Sequence, residues 1–176
     1  EAAPTAYPDA PENLSVAAAA LAPEAIWQRI EAWVTDRWSP RAVTWLVEGP
    51  GEWSPPLSPA VDVTAEVWAG SEWSDVTLQA APDGYCLSAE GPYRITATVG
   101  SDSAPEAALE AFRRLAEYSA AIGDHSAWKG PAGANSHNFN LSEGVSLSVD
   151  RTATWAARAL VNSGAADLLR PYRRAA

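Results

Sequence analysis

At 176 residues, 47% of them hydrophobic, the chain is long and apolar enough to bury a core, which excludes wholesale disorder. No apolar run approaches the roughly 20 residues that a bilayer span needs, so no membrane partner is expected. A formal net charge of −10 excludes the basic stripe of a DNA reader, and one cysteine, Cys86, excludes an intramolecular disulfide.

Residues 1–13 carry Pro4, Pro8 and Pro11 with three acids and no base, and read as a flexible N-terminal arm. No charged segment leading into an apolar stretch is visible there, so no secretory signal is read. Ala17 to Ala20 can begin a weak helix. Pro23 suits a first helical position and Glu24 a first turn. Ile26, Ile30, Trp33, Val34 and Arg37 then fall at helical spacing, up to a stop at Ser39-Pro40.

A β region follows over 43–99. Val43–Val47 reads as a strand broken by Gly49-Pro50-Gly51. Val61, Val63, Ala65 and Val67 alternate with Asp62, Thr64, Glu66 and Trp68. Gly70-Ser71 turns the chain into Trp73–Gln79, and Pro82-Asp83-Gly84 turns it into Tyr85–Ser88. Tyr93, Ile95, Ala97 and Val99 alternate with Arg94, Thr96 and Thr98. Sequential strands and tight turns predict an antiparallel β-meander covered on one face.

Pro105 opens a helix over 105–122, with Ala108, Phe112, Leu115, Ser119 and Ile122 on one face, a Glu110–Arg114 pair on the other, and Gly123 as its stop. Residues 124–149, rich in Gly, Ser and Asn, read as a loop. Asp150 can cap a helix over 150–163, and a last turn through Leu168-Leu169-Arg170 halts at Pro171. The fold class is therefore α+β: helices packed with a small antiparallel β-meander, plus a C-terminal helical tail. The expected division is the arm, a domain over 14–163 and a tail over 164–176.

Catalytic readings fare poorly. Asp124-His125-Ser126 sets three suggestive residue types side by side, yet loop neighbours seldom point at one another, and no nucleophile-elbow sequence accompanies them. Asp62 and Glu66 share a strand face, where a solvated surface needs charges anyway. Gly130-Pro131-Ala132-Gly133 lacks the Lys-Ser/Thr ending of a phosphate loop. With His125 and His137 the only imidazoles, no metal-ligand spacing exists. No enzyme, cofactor or metal is expected. The chain holds nine Trp and two Phe, as high-GC coding favours. Trp53, Trp68 and Trp73 lie around the hairpins, which supports one rival reading, a carbohydrate-binding module; packing is the plainer account of them.

The chain's end is the most informative segment. Leu168, Leu169, Arg170, Pro171, Tyr172, Arg173 and Arg174 close an acidic chain with three arginines and no acid. Leu168 and Leu169 offer apolar burial, and Tyr172, Arg173 and Arg174 are side chains that interface anchors use.

The order of these pieces resembles the head-tail connector, or adaptor, family of long-tailed phages and gene transfer agents. The resemblance runs from about Pro23 to Arg174. It is carried by Leu57-Ser58-Pro59-Ala60-Val61, by Val67 to Trp73 with Val76-Thr77-Leu78, and by Gly91-Pro92-Tyr93-Arg94-Ile95. Ala104 to Leu109 adds to it, and Leu168-Leu169-Arg170-Pro171-Tyr172-Arg173 is its most specific piece. The ending and the coding bias are most similar to adaptors of Rhodobacter-type gene transfer agents; the long loop over 124–149 and the N-terminal arm depart from the pattern. The resemblance implies a dodecameric homo-oligomeric ring in the neck of a phage-like particle, made in the bacterial cytoplasm. That ring would sit between the portal protein and the tail-side stopper, with the C-terminal segment docked on the portal. DNA would pass through the channel without sequence-specific binding.

Overall fold

Tyr93, Ile95, Ala97 and Val99 turn one face of a long strand into core, and the other strands assemble around it. The computed structural model describes residues 1–123 and 157–173, together with the backbone of 136–141 and 145–150. The chain is α+β and divides into two compact units, one of residues 1–8, 34–104 and 172–176, the other of 9–33 and 105–171.

The first unit holds a five-stranded antiparallel sheet of β1 (Arg41–Trp53), β2 (Ala60–Ala69), β3 (Glu72–Val76), β4 (Gln79–Ala81) and β5 (Gly84–Val99). The strands do not follow one another as a meander. Their order is β1-β5-β2-β3, and β4 pairs with the start of β5. The reason is that β5 does not split at Gly91-Pro92. It runs for 16 residues, long enough for β1 along one edge and both β2 and β4 along the other. Nor does Gly49-Pro50-Gly51 break β1. The register shifts there as a bulge, and the strand resumes with Gly51 opposite Leu87. Val43, Ala65, Tyr93, Ile95 and Ala97 face the core, whereas Thr44, Leu46, Glu66, Trp68 and Arg94 take the opposite face.

The second unit is organised by α3 (Glu106–Gly123), which packs against α1 (Val16–Ala19), α2 (Pro23–Glu31), α4 (Ala159–Asn162) and α5 (Ala165–Leu168). Ala108, Ala111, Phe112, Leu115, Ala116 and Ala120 form its buried stripe at helical spacing. Trp27 of α2 meets Phe112 at 5.0 Å between ring centroids. The expected Glu110–Arg114 pair is present at 2.8 Å.

Three boundaries differ from expectation. Helix α2 ends at Glu31 rather than near Ser39. The segment from Val34 belongs to the sheet unit, where Ser58 pairs with it on both sides, donating to Thr35 and accepting from Arg37. Those partners replace the bonds that a helix would supply. Within the expected loop over 124–149, Ser136–Leu141 and Val145–Asp150 form a two-stranded antiparallel sheet, β6 and β7. Their backbones satisfy one another, which the polar composition does not betray. Asp150 therefore ends a strand instead of capping a helix, and α4 spans only Ala159–Asn162; residues 151–156 lie outside the described residues.

Candidate functional site: the C-terminal basic segment

Gly164, with φ 74°, turns the chain into α5, and Leu169 caps it. A single 3₁₀ turn, Arg170–Tyr172, follows. The arginines do not set this segment loose. Leu169 is fully buried, and the Tyr172 carbonyl accepts from the Thr35 N–H at 3.0 Å and from its hydroxyl at 3.1 Å. The Tyr172 ring packs edge-on against Trp38, with centroids 5.6 Å apart, and Trp38 is buried.

In this chain Leu169 belongs to the core, and the Tyr172 ring is held on Trp38. Burying an apolar side chain of this size stabilises by about 1.5–3 kcal/mol, which outweighs the weak pull of exposed arginines on an acidic body. Leu168 is half-buried, and Arg170, Pro171 and Arg173 are exposed; Arg174 lies outside the described residues. Arg170 approaches Asp167 only at 3.9 Å, with both side chains some four-fifths exposed. On this turn Arg170 is an exposed guanidinium, a group suited to pairing with carboxylates.

The three tryptophans do not come together. Trp68 and Trp73 face each other across β2 and β3, with centroids 5.2 Å apart at 67°. Arg94 lies over the Trp73 ring at 4.7 Å and is itself clamped by Glu66 through two 2.6 Å bonds. Those bonds hold the Glu66 carboxyl below its ordinary pKa. Trp53 packs with Trp45 and Tyr85 against the core cluster on the other face. A flat three-ring sugar platform is therefore not assembled, and Trp73 is already covered by a cation.

The Asp62–Glu66 pairing also dissolves. Asp62 sits at a register shift in β2 with φ 54°, so the alternation that would align it with Glu66 is broken. Asp124, His125, Ser126 and Gly130–Gly133 lie outside the described residues, and of His137 only the backbone on β6 is described. Among the described residues no cluster of His, Cys, Asp and Glu is arranged to hold a metal, and no helix is long and apolar enough to cross a membrane.

One cluster escaped sequence reading. Arg37 and Arg41 are both buried and both hold Glu1. Arg37 Nε donates to Oε1 at 2.7 Å and Nη2 to Oε2 at 3.2 Å, while Arg41 Nη1 reaches Oε1 at 3.1 Å. The bond from Arg37 holds the Glu1 carboxyl below its usual range. The Tyr7 ring lies 5.5 Å from the Arg41 guanidinium, and the Ala2 N–H donates to the Ala42 carbonyl on β1. Residues 1–8 thus form neither helix nor strand yet are tied to the sheet unit at several points. Helical spacing had assigned Arg37 to an apolar stripe, and no local signal pairs it with Glu1. No protein-family model and no curated protein matches this chain.

Proposed function

We propose that the chain is a non-enzymatic structural adaptor of the head-tail connector kind, most like that of a Rhodobacter-type gene transfer agent. Twelve copies would form a ring in the neck of a phage-like particle, between portal and stopper. In this reading the helices and sheet build the ring wall, and the C-terminal helical tail is the portal-docking element. The observation that carries it is the exposure of Arg170 and Arg173 on either side of Tyr172, whose ring packs on Trp38 of its own chain. A plug of this kind keeps its shape before it meets a partner, which lowers the ordering cost of docking. The acidic body suits a channel wall along which DNA slides without sticking.

The test is co-sedimentation with the portal protein of a Rhodobacter-type gene transfer agent, comparing the parent with the double variant Arg170→Glu, Arg173→Glu. The expected result is loss of portal binding with an unchanged thermal melt. Undiminished binding by the double variant overturns the docking assignment. Saturable quenching of Trp fluorescence by a glycan panel would favour the carbohydrate-binding alternative instead.

A further inference from the structure

The helical unit carries a second feature, independent of the tail and of the adaptor reading. Ser15 caps α1 by accepting from the Ala18 N–H at 3.2 Å, and its own N–H and hydroxyl donate to the two Glu117 carboxylate oxygens at 2.7 and 2.8 Å. This clamp fixes the strap over 10–15 to α3. Between the strap and the helices an apolar cavity of about 270 Å³ remains open, lined by Leu14, Leu21, Ile26 and Phe112 and by the small side chains of Ala10 and Ala19. Beside it lies a wider hollow of about 640 Å³, which shares Pro11 and Asn13 with the cavity and is lined by Glu12, Glu106, Glu110 and Arg113.

The charge of the hollow is uneven. Glu110 and Arg113 satisfy each other through two 2.7 Å bonds, and Glu110 also takes Arg114. Glu12 and Glu106 are exposed and have no ion-pair partner among the described residues. Glu106 alone has an ordinary explanation, as an acid in the first turn of α3. That explanation covers neither Glu12 on the strap nor the apolar cavity next to both.

We infer that this groove binds an extended peptide segment of a partner protein, one that seats a leucine-sized apolar side chain in the cavity and lays a neighbouring arginine or lysine against Glu12 and Glu106. Charge complementarity selects this occupant. Nucleic acid and acidic peptides are repelled by the rim, and a purely apolar ligand leaves the carboxylates unused. The chain's own basic end fits poorly, because Leu169 and Tyr172 are already engaged.

The test is fluorescence anisotropy of a labelled hexapeptide carrying one leucine between arginines, titrated with the whole chain at low salt. Two controls replace the arginines by glutamates or the leucine by alanine. The arginine-leucine peptide is expected to bind and both controls to fail. The double variant Glu12→Gln, Glu106→Gln should weaken binding by roughly tenfold, as should filling the cavity with Ala19→Leu. Ala10→Leu fills the same cavity from the strap and serves if Ala19→Leu does not fold. Equal binding of the glutamate peptide, no binding of the arginine peptide, or unchanged binding by the cavity-filled variants each overturns the proposal. Sedimentation of the protein alone supplies the last outcome: self-association that Ala19→Leu abolishes would make a second copy the occupant and overturn the partner assignment.

Discussion

The Tyr172 ring meets the Trp38 indole edge-on, at 85° and 5.6 Å between centroids, and its carbonyl is held by Thr35. That geometry separates Tyr172, packed on its own chain, from the exposed Arg170. Tyr172→Ala should destabilise the fold by about 1–3 kcal/mol through lost aromatic packing. Arg170→Ala should stay within about 0.5 kcal/mol, since its approach to Asp167 is long and solvated. Urea denaturation of both variants checks the split. Equal destabilisation would mean that Arg170 is structural.

A second prediction concerns the bulge in β1. A Cβ on Gly49 would lie 2.6 Å from both the Ala89 carbonyl oxygen and Tyr93 Cε2, so no side chain fits there. Tyr93, fully buried, accepts from the Ala89 N–H at 2.6 Å and donates back to the Ala89 carbonyl at 3.2 Å. Gly49→Ala should cost about 1–3 kcal/mol by overpacking, and Tyr93→Phe a similar amount by leaving the Ala89 N–H unsatisfied. Because both act on one contact, the double variant should cost less than the sum, which a double-mutant cycle in urea measures.

Much of this arrangement is legible in the sequence, and what is not has a common cause. The faces of β2 and β5, the Trp68–Trp73 pair, the stripe of α3 and the Glu110–Arg114 pair all depend on residues close in sequence or on strict periodicity. The place of β1 beside β5 instead of β2 depends on a pairing some fifty residues apart, to which local alternation is blind. Arg37 fits a helical stripe by spacing and is claimed instead by Glu1 and by the carbonyl of Val34. At the chain's end, composition identifies a basic segment but cannot tell that Leu169 and Tyr172 face inward.

Ser15 offers a third prediction, on the strap that roofs the proposed groove. Ser15→Ala removes the cap of α1 and one of the two bonds to Glu117. It should cost about 1 kcal/mol, in line with other N-cap losses. Ser15→Asp is the informative contrast. It can still cap the helix, yet it brings a second carboxylate against Glu117, so it should be less stable than Ser15→Asn. A thermal melt that ranks Asp above Asn would show that the Glu117 clamp contributes nothing.

The last prediction is a pH dependence with a definite sign. Hydrogen bonds from Arg113 and then Arg114 lower the Glu110 pKa from 4.5 to about 2. A carboxyl depressed in the fold contributes stability that is present above its unfolded pKa and is lost as pH falls through the folded one. The window therefore runs from about pH 4.5 down to about 2. Because the group is largely solvated, the contribution should stay under about 1 kcal/mol. Glu1, Glu66 and Glu117 are lowered in the same direction, by Arg37, Arg94 and the Ser15 N–H respectively, and add to the loss on acidification, whereas Asp36, raised by burial, opposes it. Glu110→Gln should flatten the acid limb of a plot of urea midpoint against pH while leaving its neutral plateau within the same margin. If parent and variant lose stability with equal slope below pH 4.5, the arginine pair does not hold Glu110 in solution.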